Sequence, residues 1–266
     1  MSREKIKVLF IGDIVGRPGR NACKKLIPEL VEKHQVDFVI ANGENLASGS
    51  GMTYDTYKDM IAAGIDYFTS GNHIWKNKDI IEHLNDDETK ILRPINYSPD
   101  APGRGSAILE KGEKKICLIN AQGRVFMPDD IDDPFIAVER YIKDKCKLPV
   151  VIDFHAEATS EKVAFGWYLD GKAAAIIGTH THVQTADETI LPEGTGYITD
   201  VGMVGPVVSV LGVEKEIIIG KFLTQLPASH KVASGDVNFS ALLIEIDPER
   251  KITTSISRIN ELIPIE

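Results

Sequence analysis

The chain has 266 residues, 43% of them hydrophobic and 26% charged, a composition typical of a globular protein with a sizeable core. Its 30 basic and 39 acidic residues give a formal net charge of −9, which argues against proteins that coat nucleic acid or anionic membranes. The cysteines form no Cys-x-x-Cys pair, and no apolar stretch reaches the ~20 residues of a membrane span or resembles a signal peptide, so we expect one cytoplasmic domain over residues 1–266.

The first third of the chain alternates apolar runs with amphipathic segments. Strands are predicted at 7–13, 37–45 and 65–73, where each apolar run ends in polar residues. Helices are predicted at 21–34, 53–63 and 79–84, with Thr53 as an N-cap and a loop over 14–20. This alternation is typical of a mainly parallel sheet.

The middle and the C-terminal parts are richer in strands. The segment 105–124 predicts two strands around a Lys-Gly-Glu turn, followed by an acidic loop at 127–134 and a helix at 135–145. Further strands are predicted at 150–158, 173–182, 194–202, 237–247 and 252–259, with a helix from about Ser160 and a turn at 248–251. The sum is an α/β (α+β) domain with sheets inside and helices outside.

Metal-binding residue types follow five of the predicted strands. In chain order these residues are Asp13; Asn42, Glu44 and Asn45; Asn72 and His73; His155 and Glu157; His180 and His182. Ligand sites of open α/β sheets lie outside the carboxyl ends of the strands, so we expect these side chains at one rim. Oxygen and imidazole donors without a thiol suit manganese, iron or zinc. The set is large enough for two ions bridged by one carboxylate. Two such ions can hold a phosphoryl group for in-line attack on phosphorus.

Each of these residues alone has an ordinary explanation. Asp13 can cap a helix or sit in a loop, Asn72 and His73 can form a turn, and His155 can be a hydrogen-bonded core residue. The pair His180 and His182 is a stronger signal, because residues i and i+2 of an extended strand point to the same side. Four of the seven histidines follow apolar strands, and this joint occurrence favours a metal site.

The ordered motifs resemble those of the calcineurin-like metallophosphoesterases. The chain has GD, a carboxylate-bearing NGEN, GNH, a lone histidine after a strand and GTHTH, where that family has D-x-H, GD, GNH, H and GH-x-H. Val15 stands where D-x-H has its histidine, and Glu44 replaces the second aspartate, which usually bridges the metals. Together with LFIGDIVGRPGR, GNHIW, DFHAEATSEK, GWYLDG and YITDVGM, these departures resemble the YmdB-type bacterial phosphodiesterases over essentially the whole chain.

The resemblance implies a fold, a cofactor and a reaction. The fold is a four-layer αββα sandwich with two mixed β-sheets flanked by helices. The cofactor is two divalent or trivalent ions, iron or manganese, with zinc and magnesium as alternatives. One ion would be held by Asp13, Glu44, Asn45 and His182, and the other by Glu44, Asn72, His155 and His180, with Glu44 bridging. The reaction is hydrolysis of 2′,3′- or 3′,5′-cyclic nucleotides, with His73 as the general acid.

Physical chemistry fits these roles. A water between two cations loses a proton near neutral pH, and the resulting metal-bridging hydroxide can attack phosphorus. An imidazole such as His73 can then protonate the departing ribose oxygen, whereas Asn72 has no titratable proton and suits ligation. The amide oxygen of Asn45 is expected to replace the nitrogen ligand missing at position 15.

Several alternatives stay open from the sequence. Phosphomonoesterases and protein phosphatases use the same metal ligands, and a regulatory protein can act partly as a scaffold. An amidohydrolase is disfavoured because its His-x-His pair follows the first strand. Asp153 or Glu157 can orient His155, and Trp75, Phe126 and Trp167 can either face a nucleobase or serve packing. We expect a small phosphorylated or cyclic-nucleotide substrate, no stable nucleic-acid binding and no membrane, and homo-oligomerisation stays open.

Overall fold

The interior of the protein is built from two mixed β-sheets. The computed structural model describes residues 4–264. The strands are β1 Ile6–Ile11, β2 Asp13–Ile14, β3 Phe38–Asn42, β4 Tyr67–Thr69, β5 Ser106–Lys111, β6 Lys114–Gln122, β7 Val150–His155, β8 Ala175–Thr179, β9 Thr189–Ile190, β10 Gly196–Ile198, β11 Met203–Pro206, β12 Val237–Asp247 and β13 Ile252–Ile263. The helices are α1 Gly16–His34, α2 Tyr54–Ala62, α3 Lys78–Ile81, α4 Pro134–Lys145, α5 Thr159–Tyr168 and α6 Lys215–Thr224.

Each sheet has a parallel centre and antiparallel neighbours. In the first sheet the order is β2-β11-β12-β1-β3-β4, with β13 beside β12; β1, β3 and β4 run parallel, whereas β12 is antiparallel to β1. In the second sheet the order is β5-β6-β7-β8-β10-β9, with β6, β7, β8 and β10 parallel and β5 and β9 antiparallel at the edges. The mainly parallel sheet that the first third suggested is therefore part of a mixed one.

The apolar side chains divide into three layers of core. Between the sheets, Val8, Phe10 and Ile40 of the first sheet pack with Leu118 and Ile177 of the second. On the outer face of the first sheet lie α1, α2 and α3, and on the outer face of the second lie α4 and α5. This arrangement confirms the four-layer αββα sandwich. Among residues 4–264, no helix is long and apolar enough to cross a lipid bilayer.

Local sequence signals are compatible with the starts of α2 and α1. Thr53 caps α2 as expected: its hydroxyl accepts the Thr56 N–H, and the Thr56 hydroxyl accepts the Thr53 N–H. The predicted loop over 14–20 is wrong except at Val15, because β2 includes Ile14 and α1 begins at Gly16. Pro18 is compatible with that early start, since a residue in the first helical turn needs no intrahelical N–H bond.

Sequence patterns gave no element for 203–236, where the structure has β11 and α6. The helix α6 has no buried residue among those described, so it lacks the amphipathic stripe that predicts a helix. The short strand β11 also lacks a sequence signal, because two of its four residues are Gly205 and Pro206, which are rare in strands.

Candidate metal centre

Side chains from both sheets meet at the carboxyl ends of the parallel strands. The centre of the group is Glu44, which lies two residues after β3 ends at Asn42 and is almost fully buried. Its Oε2 atom lies 3.1 Å from His155 Nε2, and His155 Nε2 lies 3.0 Å from His180 Nδ1. Ligand atoms of Glu44, His155 and His180 all lie within 4.8 Å of one another, a spacing that suits one metal ion.

A second group lies on the other side of Glu44. Asn45 Nδ2 is 3.1 Å from His182 Nε2 and 3.4 Å from Glu44 Oε1. Asp13 Oδ1 is 3.8 Å from the same His182 nitrogen, and Asp13 Oδ2 accepts the backbone N–H of His180 at 3.2 Å. His180 and His182 therefore face different groups, with Glu44 between them.

Two buried oxygens in this region indicate that a cation fits. Within residues 4–264, Asp13 Oδ1 and Asn72 Oδ1 are buried side-chain acceptors with no hydrogen-bond donor. Buried acceptors are normally paired, and an orphaned oxygen next to imidazole nitrogens matches the donor set of a divalent metal. The residues present thus fit a divalent metal ion.

Hydrogen bonds orient His155 toward the group. Thr179 Oγ1 donates to Asp153 Oδ1 at 2.6 Å, so the same hydroxyl must accept the N–H of His155 Nδ1, 2.9 Å away. This directs Nε2 toward Glu44. Asn42 Nδ2 donates to the other oxygen of Asp153 at 3.0 Å, which joins the two sheets beneath the site. Of the two candidates for orienting His155, Asp153 does so, through Thr179.

The other two imidazoles are oriented by different acceptors. His182 Nδ1 lies 3.1 Å from the carbonyl oxygen of Leu211, which can only accept, so Nε2 keeps its lone pair. His180 Nε2 lies 3.0 Å from Glu157 Oε2, so its Nδ1 faces His155 instead. Glu157 is therefore a partner of His180 and not of His155.

The His-Thr-His segment does not continue the strand. β8 ends at Thr179, and both His180 (φ 95°) and His182 (φ 64°) have the left-handed backbone that side-chain-bearing residues seldom adopt. The prediction that His180 and His182 belong to an extended strand is therefore wrong, although both imidazoles do reach the site. The two rings reach the site because the turn after β8 presents them.

Glycine at position 71 is required by the close packing of the site. A Cβ atom on Gly71 would lie 2.1 Å from His155 Cδ2 and 2.3 Å from Glu44 Oε2, so no side chain fits there. The next residues of the same turn are Asn72, with its orphaned oxygen, and His73, whose N–H donates to Glu44 Oε2 at 3.3 Å.

His73 lies at the open side of the site. Its side chain is 28% exposed, and its Nδ1 is 3.1 Å from Asn45 Oδ1 and 3.2 Å from Glu44 Oε1. Both neighbours are acceptors, so Nδ1 carries a proton and Nε2 is the ring nitrogen left for another molecule.

Burial and neighbouring charges shift the pKa values of these groups in different directions. Burial would lower the pKa of His155, but the adjoining Glu44 carboxylate outweighs it and raises that pKa to about 9. Burial would raise the pKa of Glu44, and its pairing with His155 holds it well below the usual range. Burial raises the pKa of Asp13, lowers that of His182, and lowers that of His180 to about 3. The raised pKa of His155 favours its protonated form beside Glu44, and a bound cation would displace that proton.

The aromatic candidates differ in exposure. Trp75 packs edge-on against Tyr97, with ring centroids 5.4 Å apart, which is a packing role. Trp167 on α5 is 58% exposed and Phe126 is 86% exposed. Phe126 lies three residues after Gly123, whose N–H donates to the His155 carbonyl at 2.9 Å, so it belongs to a loop that begins beside the site.

Sequence reasoning missed three supporting residues. These are Lys162 in α5, Asp200 after β10 and Leu211, whose contacts reach the ligands only through the folded chain. Asp200 lies in the YITD segment and has a readable signal, because an acid after an apolar run matches the pattern of the other strand ends. Lys162 and Leu211 have none.

The chain is similar to known proteins over almost its whole length. The family described as YmdB-like protein matches residues 9–259. A 2′,3′-cyclic-nucleotide 2′-phosphodiesterase of Bacillus subtilis (strain 168) is 47% identical over 96% of this chain and 96% of its own. The crystal structure of a phosphatase from Mycoplasma pneumoniae superposes with a TM-score of 0.92 and 36% identity, covering 98% of this chain and 95% of that one.

A more distant structure shares the fold alone. Haemophilus influenzae NAD nucleotidase superposes with a TM-score of 0.62 and 14% identity, covering 98% of this chain and 56% of that one.

Proposed function

The chain belongs to the YmdB-like protein family, and from this membership we propose that it is a metal-dependent phosphoric diester hydrolase that opens 2′,3′-cyclic nucleotides. The observation that carries the proposal is the group Glu44, His155 and His180, with ligand atoms within 4.8 Å, beside the orphaned oxygens of Asp13 and Asn72. The name of the Bacillus subtilis relative gives the substrate class.

We assign two ions to the site. Asp13, Glu44, Asn45 and His182 would hold one ion, and Glu44, Asn72, His155 and His180 would hold the other, with Glu44 shared. Bound there, such ions supply Lewis-acid stabilisation of the phosphoryl oxygens and an activated water. Imidazole, carboxylate and amide donors without a thiolate fit iron or manganese, and they also accept zinc.

The chain itself supplies the proton for the leaving group. An oxygen from water forms the new bond to phosphorus while the bond from phosphorus to the ribose 2′ oxygen breaks. His73 enters this step as the imidazolium: it donates the Nε2 proton to that 2′ oxygen while its Nδ1–H stays fixed by Asn45 and Glu44. The attacking water releases its proton to solvent, and His73 regains a proton from solvent before the next turnover. The product carries the phosphate on the 3′ oxygen. An alkoxide is a poor leaving group, so this proton transfer is the step in which the chain contributes most.

A phosphomonoesterase is the second candidate, because the Mycoplasma pneumoniae structure is described as a phosphatase. The two functions differ in their products. A diesterase converts 2′,3′-cyclic AMP to 3′-AMP and stops, whereas a monoesterase continues to adenosine.

The test is metal analysis of anaerobically purified protein, followed by turnover of a panel of 2′,3′- and 3′,5′-cyclic nucleotides. We expect two equivalents of iron or manganese and 3′-AMP as the main product from 2′,3′-cyclic AMP. Faster hydrolysis of p-nitrophenyl phosphate than of bis-p-nitrophenyl phosphate would overturn the diesterase assignment in favour of the monoesterase.

A further inference from the structure

A buried ion pair lies directly behind the two histidines after β8. Lys162 Nζ is 2.7 Å from Asp200 Oδ2, and the side chains are 1% and 0% exposed. Burying two charges is costly, and an apolar pair of similar volume commonly replaces such a bridge without loss of stability. The stability of the fold alone therefore does not explain why this position has a buried ion pair.

The pair is connected to the turn rather than to the bulk of the core. Lys162 Nζ donates to the carbonyl oxygen of Thr179 at 2.7 Å. Asp200 Oδ2 accepts both the backbone N–H of Thr181 at 3.1 Å and its hydroxyl at 2.7 Å. The two charged groups thus hold the residue before His180 and the residue between His180 and His182.

The turn needs such support because of its backbone. His180 and His182 both have positive φ, a conformation that persists only where surrounding contacts impose it. Among its contacts, Asp200 also accepts the Gly202 N–H through Oδ1 at 2.8 Å, and the Gly202 carbonyl accepts the Asp13 N–H at 3.0 Å. The same carboxylate is therefore linked through the backbone to three residues assigned as ligands.

We propose that Lys162 and Asp200 are positioning residues, a buried charge pair that sets the left-handed turn 180–182 and thereby the affinity of the site for metal. This inference rests on the metal site of the proposed function. It gives the ligands His180 and His182 a support separate from that of His155, which Thr179 and Asp153 orient.

The test compares metal affinity with fold stability in variants of the full chain. The variants are Lys162→Met, Asp200→Asn and Thr181→Ala, with Thr253→Val as the control. Thr253 is buried and donates to the Ala174 carbonyl at 2.7 Å, just before the start of β8 and away from the turn, so its change removes a buried hydrogen bond without touching the site. Mn²⁺ binding is measured by titration calorimetry on EDTA-treated, dialysed protein, and stability by the urea midpoint without metal.

We expect Lys162→Met and Asp200→Asn to weaken Mn²⁺ binding about 10–100-fold, the range known for residues that orient ligands. Thr181→Ala, which removes one hydrogen bond, should weaken it about 5-fold. Thr253→Val should lower the urea midpoint and leave the Mn²⁺ affinity within about twofold, since a lost hydrogen bond away from the site affects only stability.

Wild-type Mn²⁺ affinity in folded Lys162→Met and Asp200→Asn proteins would overturn the inference, as would an equal loss of affinity in Thr253→Val. If the two charge variants do not fold, Thr181→Ala decides, and unchanged affinity there refutes the positioning role. A wild-type chain that binds no Mn²⁺, iron or zinc contradicts the proposed function itself and removes this inference with it.

Discussion

Replacing His73 by glutamine separates the chemistry of the leaving group from metal binding. The glutamine amide cannot act as an acid at neutral pH, but it is close to the imidazole in size. In the structure His73 is held by two buried acceptors, with Nδ1 3.1 Å from Asn45 Oδ1 and 3.2 Å from Glu44 Oε1. A proton donor fixed in this way contributes about 10²–10⁴-fold, equivalent to roughly 2.7–5.5 kcal/mol of transition-state stabilisation.

The size of the loss should depend on the leaving group. The ribose 2′ oxygen of 2′,3′-cyclic AMP is strongly basic and needs the proton, so the His73→Gln variant should lose about 10²–10⁴-fold in kcat. The p-nitrophenolate of bis-p-nitrophenyl phosphate is weakly basic and leaves as an anion, so its turnover should fall less than about 10-fold. The first reaction is followed by chromatography of 3′-AMP and the second by absorbance.

His83→Gln is the matched control, because His83 stacks on Tyr54 with ring centroids 3.7 Å apart and contributes nothing to the metal centre. It should leave both rates unchanged. Metal content measured for His73→Gln should equal that of the wild type, since His73 is assigned no metal. Equal losses on both substrates would refute the acid role, and a matching loss of metal would make His73 a ligand.

Three further changes test other parts of the site. Asn45→Ala should lower the metal content from two equivalents to one by removing a ligand beside His182, and full occupancy of both sites would exclude Asn45 as a ligand. The pKa of His155 is raised to about 9, so in EDTA-treated protein its protonation stabilises the fold fully below about pH 6.5, and this stabilisation is lost as the pH rises to about 9. The urea midpoint should therefore fall between these two pH values. A midpoint that does not change with pH would contradict this prediction. Phe126→Ala should raise KM for cyclic nucleotides about 5–150-fold, because the loss of one stacked base costs about 1–3 kcal/mol. KM for bis-p-nitrophenyl phosphate should not change in this variant. Trp167→Ala should leave KM for both substrates unchanged.

The strand ends were predictable because their signals are local. An apolar run followed by a polar residue is visible in a few consecutive letters, and parallel strands bring such ends to one edge without further information. Asp13, Glu44, His155 and His180 illustrate this, because the structure brings these four residues to one rim. The helix α2 was equally local, since Thr53 and Thr56 carry its cap.

What could not be predicted depends on contacts between distant parts of the chain. The charge of Lys162 on a helix favours a solvent-exposed position, and only the folded chain brings it 2.7 Å from Asp200. The orientation of His182 depends on a backbone carbonyl at position 211, which no side-chain pattern can indicate. The left-handed turn at 180–182 is likewise imposed by tertiary contacts, so the sequence pattern pointed to an extended strand instead.

Val15 shows how the chain accommodates its departure from the D-x-H pattern. Its side chain is buried and packs against Gly205 and Gly212, where a Cβ on Gly212 would lie 2.6 Å from a Val15 methyl. Gly212 follows Leu211, the residue whose carbonyl orients His182, so the apolar side chain at position 15 supports a ligand instead of being one. The next residue, Gly16, donates its N–H to the Asn45 carbonyl at 2.9 Å, which fixes the Asn45 backbone beside His182. A histidine at 15 would have to displace this packing, whereas the Asn45 amide group already lies beside His182, with Nδ2 3.1 Å from His182 Nε2, which is why we propose Asn45 for the missing ligand.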